Sequence, residues 1–448
     1  MKTLEIYTPL SRRQFLNYSA AVSTGFIGAA FLTGCAIDPV TGKSQIMMVS
    51  EQQEIAIDKQ QSPFQISSDY GISQDDKVNR YVSMVGKGLL ANVHRPAIPY
   101  SFKCVNATYI NAYAFPGGTI AATRGILLKL DNEAELASLL GHELGHVNAR
   151  HTAEQVSKGQ LSSLLIGGLS IAAGTQGSAF GELTQQLGAL GQGLFLSKYS
   201  RDNEREADSL GNEYMVKAGY PSKGFVRLME MLDSLHKEKP GSAAMLFSTH
   251  PMSSERLDAA VLREKEQYRY SKEYSLNRDR YMDNTASLRR KRQTVELLQE
   301  GEEFLASKEY DKAENAIKKS IDKSREDYTA HVVMAKCLLI RKKFPEALSY
   351  ADTAKTLYPS EAQGYYVAGI ANIEQKKFSN AYKDFTQCEE ILPGNPQMAF
   401  FRGYCLENNG EKDPAANQYM KYLKMINYQQ NKYSQYAYAR LKQWGYAR

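Results

Sequence analysis

Helical periodicity, one brief alternating stretch and a long-range repeat give a mainly α fold: an α+β domain with a small β-sheet, followed by an all-α superhelix. Apolar residues fall at helical spacing in most segments, as at Val78, Tyr81, Val82, Val85 and Leu89. Strand-like patterning is confined to Tyr100 to Val105 and to Ala112 to Thr123, the latter broken by Pro116-Gly117-Gly118. Ala313, Ala347, Ala381 and Ala415 are 34 residues apart, each with a small residue twelve earlier (Gly301, Ala335, Gly369, Gly403).

The 448 residues suffice for two or three domains. Lysine and arginine number 55 against 49 acidic residues, a net charge of +6 that gives no support to nucleic-acid binding. Five irregularly spaced cysteines without a CxxC pair make neither a disulfide framework nor a zinc ribbon.

Residues 1–35 read as a targeting segment. Ser11-Arg12-Arg13-Gln14-Phe15-Leu16 is a twin-arginine pattern, followed by an Ala- and Gly-rich run from Tyr18 to Leu32. Leu32-Thr33-Gly34-Cys35 has the form of a lipoprotein signal box, with lipid expected on the Cys35 sulfur. The run is shorter than the ~20 apolar residues a membrane-spanning helix needs. Ala36 rather than Asp follows the cysteine, which fits an outer-membrane destination where that sorting rule operates.

Residues 36–260 form the expected first domain. Ser50 caps a helix starting at Glu51, and Asp75 to Leu90 is a second helix. The strands at 112–123 have two readings: a plain core sheet, or an exposed edge that pairs with a substrate backbone. A capping box, Asn132 with Glu135, opens the next helix, which Leu136, Leu139, Leu140 and Val147 bury. His142 and His146 lie four apart on it, so both imidazoles leave one face, a spacing that suits two ligands of one zinc ion. Glu143 follows the first histidine and can act as general base on a water at an open zinc position. Gly145 costs helix stability but permits close approach of another backbone.

Residues Leu161 to Leu196, rich in Gly, Ser and Gln, suggest either a mobile lid or a loosely packed helical pair. Glu204-Arg205-Glu206-Ala207-Asp208 then opens a helix on which Glu204 and Asp208 share a face. Two histidines and a glutamate, with water as the fourth group, make a catalytic zinc set, and Asp208 is placed to accept a ligand histidine's second ring proton. Pro221 to His236 is amphipathic, and Ser248-Thr249-His250-Pro251 follows a flexible stretch. His94, His236 and His331 are expected on the surface, and His151 is expected to point away from the zinc-binding face in a supporting or structural role.

Residues 261–293 are expected as a linking helix and residues 294–448 as a repeat domain. Tyr310, Phe344 and Phe378 precede the repeated alanines by three, and Pro359 and Pro393 close units, as in tetratricopeptide repeats. Four units give a short superhelix with a concave face, capped by a helix within Asn431 to Arg448. Cys388 and Cys405 fall on consecutive helices, a disulfide candidate whose geometry the sequence does not fix.

Four segments, GHELGHVNARH, SRDNEREADSLG, STHP and NAYAFPGGTIAATRGIL, together resemble the zinc metallopeptidase family that includes the CAAX prenyl proteases and bacterial periplasmic proteases. The resemblance covers Pro39 to Leu257. It implies a zincin-like fold, zinc on His142, His146 and Glu204, catalysis by Glu143, and a structural role for Glu206. It also implies Asn111 and Ala112 near the scissile bond, and an arginine at Arg256. For His250 it leaves two roles, a fourth zinc donor that excludes water or a transition-state contact. By the same resemblance the repeats would recruit substrate or the outer-membrane protein assembly machinery, with misassembled envelope proteins as substrates. The rival expectation is a chaperone or scaffold whose protease domain is gated or inactive.

Overall fold

The structure is a computed structural model that describes residues 36–447 except 38, 41, 43, 46, 48, 158–197, 239 and 240. The expected targeting segment, Cys35 and the Gly-rich stretch at 161–196 therefore lie outside the described residues. Among the described residues, no helix is long and apolar enough to cross a membrane.

Ser50 caps α1 (Glu51–Ser68) through a capping box with Gln53. Helix α2 (Asp76–Leu89) buries Val78, Tyr81, Val82, Val85 and Leu89, the stripe predicted from spacing. Strands β1 (Ser101–Val105), β2 (Ala112–Ala114) and β3 (Thr119–Thr123) follow. They order as β1-β3-β2, with β1 parallel and β2 antiparallel to β3.

Helix α3 (Glu133–Asn148) is buried along its whole length. Asn132 accepts from Glu135 N at 3.0 Å, but the Glu135 carboxylate returns to the Asn132 side chain and the Asp131 N–H rather than to the cap backbone. Arg150 takes a left-handed φ of +59°, and α4 (His151–Ser157) starts there. Helix α5 (Arg201–Lys217) crosses α3 with backbones in contact. A Cβ on Gly145 would stand 2.7 Å from Ala207 O, and one on Gly211 would stand 2.6 Å from His142 N. Only glycine permits that approach. Helices α6 (Lys223–Lys237), α7 (Ala244–Thr249) and α8 (Ser254–Lys265) complete the layer around α3.

The stretch expected as one linking helix is two pieces. Helix α8 ends at Lys265, Arg269–Glu273 forms a 3-10 turn, and α9 (Arg278–Arg290) begins after Asn277 in left-handed geometry. The break lets Tyr281 insert fully into the core, where its hydroxyl donates to Leu127 O at 2.7 Å.

Helices α10 (Arg292–Ala306) and α11 (Tyr310–Lys323) form the first repeat hairpin, with Gly301 against Ile317. The chain divides into two compact units after Val333, so this hairpin belongs to the unit that holds α3. Within that unit, Asp327 accepts from both Arg124 terminal nitrogens at 2.6 and 3.1 Å, with both side chains buried. Glu302 accepts from Thr108 and Tyr70, and Gln299 donates to Thr108 O at 2.6 Å.

Helix α12 (Tyr328–Ile340) follows, and His331 on it is buried and bonded to Arg325 O, not on the surface as expected. The second unit stacks α13 (Phe344–Leu357), α14 (Ala362–Glu374), α15 (Phe378–Ile391), α16 (Pro396–Asn408) and α17 (Lys412–Met425). Gly369 faces Phe385 and Gly403 faces Tyr419, the small-to-aromatic fit the repeat predicts. Lys308, Lys342 and Lys376 turn in left-handed geometry at the same repeat register, and glycine takes that register at Gly410. Helix α18 (Lys432–Gln443), with its own capping box at Asn431, ends the array, and Trp444 stacks on Tyr419. Cys388 and Cys405 are both buried and free, not paired.

Candidate metal centre

The spacing on α3 places His142 and His146 with their Nε2 atoms 3.1 Å apart. Backbone contact at Gly145 draws α5 in, and Glu204 reaches the pair. Its Oε1 lies 3.4 Å from His146 Nε2 and its Oε2 lies 3.6 Å from His142 Nε2. His250, following α7, brings its Nδ1 to 3.0 Å from Glu204 Oε1 and 3.3 Å from His142 Nε2. One ligand atom from each of these four buried residues lies within 4.8 Å of all the others. Glu143 is buried beside them, its Oε1 3.9 Å from His250 Nε2.

The outer nitrogens of the two α3 histidines are held from behind. His142 Nδ1 is 2.9 Å from Asp208 Oδ1. Arg256 grips Asp208 with Nε and Nη2, both at 2.7 Å, and reaches Glu204 Oε2 with Nη1 at 2.6 Å. Spacing alone had placed Asp208; nothing local announces that Arg256 ties it to Glu204. His151 was expected to point away, yet the left-handed turn at Arg150 swings it back. Its Nδ1 lies 2.9 Å from His146 Nδ1, and its Nε2 lies 3.2 Å from Glu206 Oε2. Tyr199 stacks on His146 with centroids 3.7 Å apart. No motif in the sequence marked that tyrosine.

Burial sets the electrostatics, and charge partners correct it. Burial alone would raise the Glu204 carboxyl, but His250 and Arg256 outweigh it and hold it well below the usual range. Asp208 is likewise depressed, because Arg256 and the His142 hydrogen bond overcome burial. Burial wins at Glu143 and raises its affinity for a proton. It wins at His146 also, which favours the neutral ring.

This donor set fits a divalent cation. The Asp208 carboxylate 2.9 Å from His142 Nδ1 favours a hydrogen on that nitrogen, which leaves Nε2 facing the cluster as a donor. At 3.1 Å the two Nε2 atoms either share one hydrogen or, with both bare, face each other as a ready pair of donors for a cation. Two imidazoles and a carboxylate converging from α3 and α5, with His250 beside them, are donor types that a divalent ion takes.

Asn111 and Ala112 stand at the start of the edge strand β2, but both are fully buried. Ser242 O, in the segment leading to His250, accepts from Ile110 N at 2.9 Å and so covers the approach to that strand.

Residues 76–264 match Peptidase family M48, and residues 298–362 match a tetratricopeptide repeat family. The chain is 31% identical over 198 residues to the beta-barrel assembly-enhancing protease of Yersinia pestis, covering 42% of this chain and 39% of that protein. To the protein of the same name in Escherichia coli K12 it is 25% identical over 259 residues, 56% of this chain and 52% of that one. Metalloprotease YcaL of Escherichia coli K12 is 29% identical over 238 residues, 51% of this chain and 90% of that protein. The chain thus spans about half or less of the length of the barrel-assembly proteases it matches.

Proposed function

Because the chain joins a Peptidase family M48 domain to tetratricopeptide repeats, we propose that it is a zinc-dependent endopeptidase of the bacterial cell envelope. The observation that carries the reading is the convergence of His142, His146, Glu204 and His250 beside Glu143. In this reading His142, His146 and Glu204 hold the ion. Bound zinc supplies Lewis acidity to the scissile carbonyl and lowers the pKa of water.

The remaining work belongs to the protein. Glu143 takes a proton from the attacking water and delivers it to the leaving amine. Its buried setting raises its affinity for a proton, which suits a carboxylate that takes one from water and then hands it on. Asp208 and Arg256 keep the bare His142 nitrogen and the Glu204 carboxylate aimed inward. Substrate adds as a strand along β2, with Asn111 and Ala112 beside the scissile bond.

His250 closes the site. A histidine in the fourth donor position leaves no room for water. The segment that carries it also covers Ile110, so the displacement that frees the fourth position uncovers the β2 approach. Substrate or a repeat-bound partner favours that open form by binding it selectively.

The relatives are named for enhancing beta-barrel assembly, which supports an envelope role; the reading extends this to misassembled outer-membrane proteins as substrates and to the outer-membrane assembly machinery as a partner of the repeats. Lipid on Cys35 would tether the chain to the outer membrane, and palmitate label retained in Cys35→Ser would remove that part of the reading.

The closed arrangement at His250 also favours a second reading, a chaperone or scaffold with a gated protease domain. Cleavage of an unfolded protein, with and without chelator, separates the two. The endopeptidase reading expects cleavage that chelator abolishes and Glu143→Gln lacks. No cleavage by wild type or by His250→Ala supports the scaffold.

A further inference from the structure

We propose that His151 and Glu206 act as a positioning pair that fixes the tautomer and orientation of His146. Neither touches the proposed metal. The inference rests on the metal reading above and concerns how one of its donors is held.

The geometry points one way. Glu206 is a hydrogen-bond acceptor only, so the 3.2 Å contact places a hydrogen on His151 Nε2. The contact between the two Nδ1 atoms, at 2.9 Å, needs one hydrogen. When His146 supplies it, His151 Nδ1 is the acceptor and His146 keeps a bare Nε2, aimed at His142 Nε2 and Glu204 Oε1. The other tautomer would put a hydrogen on His146 Nε2, where it would bond Glu204 and block ligation. The line from Glu206 through His151 selects between these forms, as a single carboxylate does for most ligand histidines.

The surroundings make this a built arrangement. Returning His151 requires the left-handed turn at Arg150. Arg150 is held there by Glu54 at 3.2 Å and by Val49 O at 2.6 Å, both beside or on the first helix. Tyr199 stacks on the face of His146 while His151 meets its Nδ1 edge, and the Tyr199 hydroxyl meets Thr152 at 3.1 Å, so the ring is fixed by both a face and an edge contact. The two α3 histidines are supported unequally. Asp208 is sealed and saturated by Arg256, whereas the Glu206 side chain is 34% exposed and ends the second line at solvent.

The test uses the full-length, zinc-loaded protein and reads zinc retention against a chelator, not turnover. Glu206→Ala is expected to weaken zinc retention about tenfold. Because Glu206 is partly exposed, unfolding of the metal-stripped variant should match the metal-stripped wild type. Glu206→Gln, which keeps an acceptor oxygen, should recover most of the loss. His151→Ala should weaken zinc at least as much as Glu206→Ala, and the double variant no more than His151→Ala alone. Wild-type retention in Glu206→Ala, or losses that add in the double variant, would overturn the pair. Failure of the wild type to hold one zinc per chain would instead overturn the metal reading.

Discussion

Replacing Glu143 with glutamine keeps the side chain's shape and removes its ability to carry a proton. Zinc content and fold should survive while turnover of an unfolded protein falls by about 10²–10⁴-fold, the usual share of acid–base catalysis. Near-normal kcat in the zinc-loaded variant would end the mechanism. His250→Ala opens the fourth donor position, so basal cleavage and self-cleavage should rise; an unchanged or lower rate with the fold intact rules out the inhibitory role, and a lower rate fits a transition-state contact instead. A third residue-scale effect lies away from the centre. Burial pushes Asp69 from 3.8 up to about 6, against hydrogen bonds from Tyr113, Gln65 and Tyr109. The folded chain therefore holds this proton more tightly than the unfolded one. The resulting stability is complete below about pH 4 and is lost as pH rises through about 6. Two pKa units correspond to about 3 kcal/mol. Denaturant unfolding from pH 4 to pH 7 should thus move in favour of Asp69→Asn relative to wild type, and a pH-independent difference would contradict this.

At the scale of elements, the crossing of α3 and α5 decides the site. A Cβ on Gly145 would strike main-chain atoms of Ala207, which cannot rotate away. Gly145→Ala should gain the helix propensity of alanine, ~1 kcal/mol, yet lose a net ~1–3 kcal/mol to overpacking and weaken zinc binding by pushing Glu204 outward. Thermal unfolding with zinc titration checks both. Much of this centre was legible from spacing: His142 with His146, and Glu204 with Asp208, each lie one helical turn apart, and helical periodicity is strongly coded. What escaped depends on backbone turns that composition does not announce. Arg150 is no glycine, yet its left-handed conformation returns His151 to His146. Asn277 similarly sets the direction of the second piece of the expected linking helix, which already breaks after Lys265. Arg256 meets Glu204 and Asp208 across nearly fifty residues of chain, a distance no local pattern spans.

For the whole molecule, the division after Val333 sets where the chain can be cut. Sequence periodicity puts the boundary at the start of the first repeat because the repeat pattern is continuous. The buried pairing of Arg124 with Asp327, and the grip of Gln299 and Glu302 on Thr108, assign the first hairpin to the unit that holds α3 and α5. A chain ending at Ile340 is expected to fold and bind zinc. One ending at residue 293 leaves Arg124 buried without its partner, a loss of roughly 3–5 kcal/mol, and should be degraded or aggregate. Equal thermal stability of the two truncations would refute the assignment. Asp327→Ala in the full chain should reproduce much of the loss.

The glycine-lined crossing has one more consequence. Since α3 and α5 touch main chain to main chain, the separation of their donor positions is set by atoms every residue shares. The frame that positions 142, 146 and 204 is therefore independent of the side chains those positions carry. Exchanging Glu204 for aspartate or histidine should alter which transition ion is preferred while leaving the helix spacing as it stands, so that ion choice and fold can drift separately in descendants of this chain.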